Sequence, residues 1–264
     1  CVYAADVDAD GDMDVLSASF EDDKIAWYEN DGSESFTEHV ISTSADYARY
    51  VHTADVDADG DMDVLSASSN DDKIAWYEND GSENFTEHVI STSADLAFDV
   101  HAADVDADGD LDVLSASQYD DKIAWYENDG SESFTEHAIS TSADGANTVY
   151  AIDVDGDGDM DVLSASKYDD KIAWYENDGS EIFTERAIST SADYAYDVYA
   201  IDVDVDGDLD VLSASTSDDK IAWYENDGSE SFTEHVISTS ADGAYSAYAS
   251  DLDGDGDMDV LSAC

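Results

Sequence analysis

The feature that most constrains the fold is a repeat of 49 residues. The acidic stretch DVDADGDMD at Asp6–Asp14 returns in nearly the same form five more times, and DDKIAWYENDGSESFTEHVISTSAD is copied almost unchanged five times. The repeats are 1–49, 50–98, 99–147, 148–196, 197–245 and a partial sixth, 246–264. A repeated element buries its apolar surface against its neighbours, so the pattern predicts one domain spanning residues 1–264.

Each complete repeat contains four segments with the composition of short β-strands. In the first repeat they are VYAADV, DVLSAS, KIAWYEN and FTEHVIS, bounded by Asp, Asn, Gly and Ser. Four antiparallel strands in about 40–50 residues are typical of a β-propeller blade, whereas the coils of the alternative, a β-solenoid, are usually shorter. We therefore expect an all-β propeller with five four-stranded blades and a terminal half-blade. A six-position ring is favoured, and a five-bladed ring with an extra hairpin is the alternative.

The charge of the chain excludes several classes of partner. It has 68 acidic residues against 8 Lys plus Arg, a formal net charge of −60, so nucleic acid and anionic membranes are unfavourable partners. Acidic chains with few aromatic residues are often disordered, but five Trp, sixteen Tyr and seven Phe favour a folded state here. No apolar run approaches the roughly 18 residues needed for a transmembrane helix.

The acidic stretches have the spacing of a calcium-binding loop. In D-x-D-x-D-G-x-x-D, oxygen ligands fall at positions 1, 3, 5 and 9 by side chain and at position 7 by backbone carbonyl, and glycine at position 6 permits a sharp turn. The loops predict about six Ca²⁺ ions, and six regularly spaced copies are not expected of a merely solvated acidic turn. Magnesium and zinc fit these oxygen-only, flexible loops less well.

The predicted calcium ligands are the five odd-position aspartates of each loop. They are Asp6, Asp8, Asp10, Asp12 and Asp14; Asp55, Asp57, Asp59, Asp61 and Asp63; Asp104, Asp106, Asp108, Asp110 and Asp112; Asp153, Asp155, Asp157, Asp159 and Asp161; Asp202, Asp204, Asp206, Asp208 and Asp210; and Asp251, Asp253, Asp255, Asp257 and Asp259.

These motifs resemble the FG-GAP, or VCBS-type, repeat family. The resemblance lies in AADVDADGDMDVLSAS followed by KIAWYENDGSESF, and it covers the five complete repeats and, for the acidic loop and its flanking strands, the terminal piece. An EF-hand is excluded because Ser17 stands at loop position 12, where the bidentate glutamate belongs. The resemblance implies a calcium-stabilised β-propeller, mostly found outside the cell, with adhesive or carbohydrate-binding members. It therefore implies a secreted or cell-surface protein without specifying a ligand.

The first and last residues are the only cysteines, Cys1 and Cys264. Cysteine appears at neither position in the other repeats. Because the first and second strands of a repeat form a hairpin, the start of one lies beside the end of the other. We therefore expect both termini on one face and a disulfide between them in an oxidising compartment. Unrelated thiols, or a lipid-modified Cys1, are the alternatives.

The tryptophans and the outer strand have simpler interpretations. One tryptophan per repeat lies inside a strand, and packing between neighbouring blades is a more common role for it than sugar stacking. Glu38 and His39 are adjacent in a strand and point to opposite faces, so they make a poor acid–base pair. We expect the lysines of the DDK turns to neutralise acidic neighbours at the blade edge. No motif indicates an enzyme.

Differences among the repeats predict where a ligand binds. Substitutions concentrate after SAS and before the first strand, whereas the exposed NDGSE turns scarcely change. In a four-stranded meander these two variable connections lie on the face opposite the calcium loops. Drift in exposed loops is the alternative explanation, but it should have altered the NDGSE turns as well. The candidate ligand-binding residues are Phe20, Tyr47, Arg49, Phe98, Gln118, Tyr119, Asn147, Lys167, Tyr168, Tyr194, Tyr196 and Tyr245.

These observations predict an extracellular binding or adhesion module that takes a glycan or protein ligand on its variable face. Aromatic, Arg, Asn and Gln side chains suit such a contact surface. A structural subunit of a surface layer or filament, which would self-assemble, is the alternative function.

Overall fold

The computed structural model describes residues 1–33 and 35–264; Glu34, in the first NDGSE turn, lies outside the described residues. The described chain is all β, with twenty-two strands and no helix. Accordingly, it contains no helix long and apolar enough to cross a membrane.

The second, third and fourth strands occupy the predicted segments. The prediction for the first strand is partly wrong: in repeats 2 to 5 it begins earlier and ends sooner than predicted, and it therefore contains four residues that were expected to precede it, Arg49, Phe98, Asn147 and Tyr196. The first strands are β1 Val2–Ala5, β5 Ala48–Ala54, β9 Ala97–Ala103, β13 Ala146–Ile152, β17 Ala195–Ile201 and β21 Ser246–Ser250. The second strands are β2 Asp14–Ser19, β6 Asp63–Ser68, β10 Asp112–Ser117, β14 Asp161–Ser166, β18 Asp210–Ser215 and β22 Asp259–Ala263. The third strands are β3 Lys24–Asn30, β7 Lys73–Asn79, β11 Lys122–Asn128, β15 Lys171–Asn177 and β19 Lys220–Asn226. The fourth strands are β4 Phe36–Ser42, β8 Phe85–Ser91, β12 Phe134–Ser140, β16 Phe183–Ser189 and β20 Phe232–Ser238.

Each complete repeat folds into one four-stranded antiparallel sheet whose strands pair in sequence order. In the second repeat Leu65 lies opposite Trp76 and Val64 lies opposite Tyr77. β-Branched and aromatic residues pack well in such cross-strand pairs. A register shift follows between Ile74 and Ala75 on the outer side, where β7 meets β8. The acidic loop connects the first strand to the second, so the sheet holds both ends of that loop.

The chain divides into two compact units. The first contains residues 1–104 and 108–141, and therefore the sheets of repeats 1, 2 and 3. Within it, neighbouring sheets share apolar clusters: Leu16 and Trp27 of the first sheet pack with Val51 and Tyr77 of the second. Burial of side chains this large contributes roughly 1.5–3 kcal/mol each, which favours face-to-face packing of consecutive repeats.

The second unit contains residues 105–107 and 142–264, with the sheets of repeats 4 and 5 and the two-stranded sheet β21–β22. Leu163 and Trp174 pack with Val211 and Tyr224 in the same manner as in the first unit. The last sheet packs on the fifth through a smaller, alanine-rich cluster. Leu261 is 42% exposed, whereas the equivalent Leu212 is fully buried, because β22 has no third strand beside it.

The predicted strand order, the 49-residue sheets and the terminal pair of strands are confirmed. Closure of the sheets into a propeller ring stays a prediction. The predicted packing role of tryptophan is confirmed for four of the five, which are at most 1% exposed: Trp27, Trp76, Trp125 and Trp174. Cys1 and Cys264 are both exposed free thiols. The expected disulfide is therefore not confirmed.

Candidate functional site

The acidic loop of the second repeat shows how its sequence fixes its shape. Gly60 has φ +99°, a conformation that suits glycine, and Ala58 has φ 60°. Asp57 Oδ1 accepts the N–H of Asp59 at 3.2 Å, and Asp59 Oδ1 accepts the N–H of Asp61 at 2.9 Å. These Asp-to-backbone bonds curl the loop so that alternate carboxylates converge.

One carboxylate oxygen at the start of the loop is buried without a hydrogen-bond partner. Asp55 Oδ2 accepts the N–H of Gly60 at 3.1 Å, but Asp55 Oδ1 has no partner among the described residues. Oxygens of Asp55, Asp57 and Asp63 lie within 4.8 Å of one another. A buried, unpaired acceptor is costly, and a calcium ion surrounded by carboxylates would satisfy it. The donor set therefore fits Ca²⁺, which would supply two positive charges.

Similar carboxylate clusters recur along the chain. Asp6, Asp8 and Asp10 form one in the first repeat. Asp153, Asp155 and Asp161 form another in the fourth repeat. The sequence prediction of acidic clusters in the loops is thus confirmed, whereas their occupancy by about six calcium ions stays a prediction.

The aspartate at loop position 9 also has a structural role. Asp63 is fully buried; its Oδ2 accepts the N–H of Val56 at 3.0 Å and its Oδ1 accepts the N–H of Asn79 at 2.8 Å. Burial raises the pKa of Asp63 to about 6, although hydrogen bonds from these two amides lower it. Asp63 thus ties the loop to β7, a role that spacing alone does not show.

The first three loops differ from the last three at the first aspartate. Asp6, Asp55 and Asp104 each have a buried Oδ1 without a partner among the described residues. In the later loops that oxygen accepts a backbone N–H: Gly156 to Asp153 at 2.8 Å, Asp206 to Asp202 at 3.1 Å and Gly254 to Asp251 at 2.7 Å. The six loops are therefore of two kinds.

The NDG turn buttresses the loop of its own repeat, and its asparagine reaches the preceding repeat. A β-carbon on Gly81 would overlap the carboxylate of Asp61, so glycine is required for this close approach. In the third repeat, Asn128 Nδ2 donates to the carbonyl of Val56, in the loop of the second, at 3.2 Å.

Clefts lie beside the acidic loops in both units. One of about 50 Å³ lies beside Asp57, Asp110 and Glu132 in the first unit, and one of about 350 Å³ lies beside Asp155, Asp208 and Glu230 in the second.

On the outer side of each four-stranded sheet, a basic side chain covers the tryptophan. The His88 ring stacks on Trp76 at 4.5 Å, and its Nε2 lies 2.8 Å from Glu78. Arg186, the replacement in repeat 4, contacts the Trp174 ring and pairs with Glu176 at 2.5 Å and with Glu230 of the next repeat at 2.7 Å. These contacts cross between strands and repeats, so local sequence did not reveal them.

The DDK lysines neutralise acidic neighbours, as predicted. Lys73 lies 2.9 Å from Glu87 on the fourth strand and 3.2 Å from Asp71 in its own turn. Its side chain is 10% exposed, and its ammonium also donates to the carbonyl of Ser44 at 3.0 Å.

Within each unit, aromatic residues at one position of the first strand contact one another from repeat to repeat. In the first unit Tyr3, His52 and His101 follow one another with ring centroids 5.0 and 4.6 Å apart. Burial lowers the pKa of His52 to about 4, and burial together with His52 lowers that of His101 to about 3. Tyr150, Tyr199 and Tyr248 continue the pattern in the second unit.

The variable connections come together within the first unit. The N–H of Ser69, after the second strand, donates to the carbonyl of Tyr47, before the first strand, at 3.2 Å. The rings of Phe20 and Tyr47 meet edge-to-face at 5.1 Å, and Phe20 is 44% exposed. Arg49 lies over Phe20, Tyr47 and Phe98, with its guanidinium carbon 5.8, 4.8 and 4.7 Å from the three ring centroids.

The second unit has a corresponding aromatic group. Tyr168 meets Tyr194 at 5.9 Å, Tyr196 meets Tyr245 at 4.9 Å, and Lys167 lies over Tyr194 and Tyr196. Tyr119 in the first unit, with Tyr168 and Tyr245, is more than half exposed. In contrast, three of the predicted ligand contacts are buried, with exposures of 3–6%: Gln118, Asn147 and Lys167. These three side chains are packed in the interior of the surface and are not available for ligand contact. Variability among the repeats does not distinguish such buried residues from exposed ones.

Two of the variable tyrosines have an unfavourable backbone conformation. Tyr47 has φ 62° and Tyr194 has φ 60°; the equivalent positions in other repeats are Leu96, with φ 58°, Gly145 and Gly243. The left-handed conformation costs a residue with a β-carbon roughly 1–2 kcal/mol, a cost that glycine avoids. Folding does not require tyrosine at this position.

Comparisons with known proteins address the family and the fold. The model of the FG-GAP-like repeat matches residues 6–66, 55–115, 104–164, 153–213 and 202–262. No curated protein sequence matches the chain significantly.

Several solved structures are similar to the chain at low sequence identity. The V. cholerae biofilm matrix protein Bap1 aligns over 94% of this chain and 40% of its own length, with 19% identity and a TM-score of 0.57. The chain thus spans about two-fifths of Bap1. A Lactobacillus plantarum protein aligns over 96% and 74%, with 17% identity and a TM-score of 0.66. A 6-phosphogluconolactonase homologue from Bacteroides fragilis aligns over 86% and 67%, with 12% identity and a TM-score of 0.61.

At these identities the solved structures support the fold alone. The family assignment rests on the repeat model, which matches from the first acidic loop to residue 262, and on the six loops described above. This chain belongs to the FG-GAP-like repeat family.

Proposed function

We propose that the chain forms one calcium-stabilised β-propeller and acts outside the cell as a non-catalytic binding and adhesion module. The propeller would be a six-position ring of five full blades and a half-blade. The uniform strand order of the five sheets and the packing of consecutive sheets within each unit support this arrangement. The likeness to Bap1, a biofilm matrix protein, supports an extracellular adhesive role.

In this proposal calcium stabilises the fold, and the ligand binds on the face opposite the calcium loops. The carboxylates of each loop repel one another, and a dication removes that repulsion. The unpaired buried oxygens of the first three loops support this assignment. Because Asp63 and its equivalents connect the loop to the third strand, a filled loop would stabilise the sheet that holds it.

The variable aromatic surface is the proposed ligand-binding face, and a glycan is the proposed ligand. The observation that carries this proposal is the clustering of aromatic rings around Arg49 in the first unit and around Lys167 in the second. Exposed aromatic rings provide flat apolar surfaces on which sugar rings stack.

A glycan array screened in calcium, followed by titration of the best ligand, tests the proposal. Replacing Tyr119, Tyr168 and Tyr196 with alanine should abolish binding while leaving the thermal unfolding curve nearly unchanged. A matched control replaces Ser82, Ser131 and Ser229 in the NDGSE turns with alanine, which should leave binding intact. Loss of binding in the serine variant alone would place the site at the clefts beside the acidic loops and refute the proposed face.

A structural subunit of a surface layer or filament is the second candidate function. Each fourth strand is the edge of its sheet and exposes apolar side chains, including Val40, Val89 and Val236 at 53–54%. Exposed edge strands can pair with other chains. Sedimentation and electron microscopy in calcium distinguish the candidates, because ordered assembly of the isolated protein favours the structural role and a monomer favours the binding module.

A further inference from the structure

Arg49 differs in its surroundings from six of the other seven basic residues. The chain has only 8 lysines and arginines, and six of them, the DDK lysines and Arg186, pair with carboxylates. Among the described residues, no carboxylate lies within ion-pair distance of Arg49. Its Nε donates to Ser69 Oγ at 3.1 Å, and its two Nη nitrogens, with four N–H groups, have no hydrogen-bond partner there.

The aromatic rings hold the guanidinium in place. Three rings, Phe20 and Tyr47 of the first repeat and Phe98 of the second, surround Arg49 at 4.7–5.8 Å. Such contacts reduce the rotamer freedom of a long side chain before a ligand arrives, and a planar guanidinium is suited to bidentate contact with an anion. A positioned fork of N–H donors beside partly exposed rings is suited to a sugar that carries an anionic group.

We infer that Arg49, Phe20 and Tyr47 form a subsite for the carboxylate or sulfate of an acidic glycan. This inference rests on the proposed function of the variable surface as a glycan-binding face and specifies its ligand class. The guanidinium contacts the anionic group, and the adjacent rings stack on the sugar that carries it.

The net charge limits the ligand further. Six calcium ions, each with two positive charges, would leave about −48 of the formal −60. At physiological ionic strength, exposed charges are screened beyond about 8 Å, so one anionic group at Arg49 meets mainly its local surroundings. A densely charged polyanion would place its other anionic groups close to the acidic surface of the protein, which repels them. The ligand is therefore a glycan with isolated acidic groups among neutral sugars.

The test uses glucose-, galactose- and mannose-terminated oligosaccharides, each with its terminal sugar in a neutral, a 6-carboxylate and a 6-sulfate form. We expect the wild-type protein to bind at least one acidic form about 10- to 100-fold more tightly than its neutral counterpart. The carboxylate and sulfate arms identify which anion is preferred. This comparison needs no variant.

Two substitutions that each remove one positive charge test whether Arg49 is responsible for the preference for acidic oligosaccharides. Arg49→Asn introduces the residue that repeat 3 has at Asn147, and Arg186→His introduces the residue of the other four complete repeats. We expect Arg49→Asn to remove the preference for the acidic form and Arg186→His to retain it.

Three outcomes would overturn the inference. Equal or tighter binding of the neutral forms by the wild-type protein refutes this subsite but leaves the glycan-binding face intact. An unchanged preference in a folded Arg49→Asn variant also refutes the role of Arg49. Binding of none of the oligosaccharides overturns both the inference and the proposed glycan-binding function.

Discussion

Replacing His52 and His101 with tyrosine should protect the fold against acid. Tyrosine occupies the equivalent first-strand position in the other four repeats, so the substitution uses a residue that the position accepts. In the folded protein the pKa of His52 is lowered to about 4 and that of His101 to about 3, mainly by burial. In the unfolded chain both return to about 6.5.

The unfolded chain therefore binds more protons than the folded protein between about pH 3 and pH 6.5, and stability falls as the pH drops through this range. From pH 8 to pH 5, each histidine accounts for a loss of about 2 kcal/mol in the free energy of unfolding. Asp197 acts in the opposite direction, because burial raises its pKa to about 6 and its protonation stabilises the fold as the pH falls. Asp197 is present in both proteins, so its contribution cancels in their difference.

The assay is urea unfolding of the wild type and the double variant at pH 8 and pH 5, at one fixed calcium concentration. The variant should lose about 4 kcal/mol less than the wild type between the two pH values. His88→Arg with His137→Arg, which removes two histidines from the outer strands, is the control for histidine number. Parallel pH dependence in the wild type and the His52/His101 variant would refute the reasoning.

Three further predictions concern backbone strain and the termini. Val205, at φ 62° and 59% exposed, occupies a loop position where repeats 4 and 6 have glycine; Val205→Gly should stabilise the fold by up to about 1 kcal/mol, and a lower urea midpoint would contradict this. Tyr47→Gly with Tyr194→Gly should change the free energy of unfolding by no more than about 1 kcal/mol, because relief of strain offsets lost ring contacts, yet weaken glycan binding; intact binding in calorimetry would count against the proposed face. Oxidation should link Cys1 to Cys264 and contribute up to about 4–5 kcal/mol, and mass spectrometry of an unreduced digest showing free thiols or only links between chains would argue against it.

Much of the fold follows from local sequence because the repeat is so regular. The segments KIAWYEN and FTEHVIS each form a strand with the expected bounds, since apolar and β-branched residues end at turns rich in Asp, Asn and Gly. The acidic loops were predictable for a related reason: the ligand pattern lies within nine consecutive residues. Closure into a ring depends on contacts far apart in sequence, and repetition alone does not determine it.

The roles that sequence did not reveal depend on contacts between distant residues. Asp63 accepts a hydrogen bond from Asn79, sixteen residues away, so its position in a ligand motif concealed its structural role. Arg49 lies among rings from two repeats, and its environment becomes visible only when the sheets are packed together. Lys167 varies among the repeats as a surface residue does, yet it is 5% exposed, because variation does not distinguish exposed contacts from buried supports.

Calcium binding by the acidic loops tests the central claim most directly. Bound metal should be counted by elemental analysis after equilibration with calcium, and thermal unfolding should be recorded with calcium and with excess chelator. If each loop binds with a Kd of about 0.1–1 mM, a filled loop contributes roughly 1.4–2.7 kcal/mol at about 10 mM calcium. Up to six bound ions and a sharp fall of Tm on chelation are predicted. No bound calcium, together with an unfolding curve that the chelator leaves unchanged, would contradict the account.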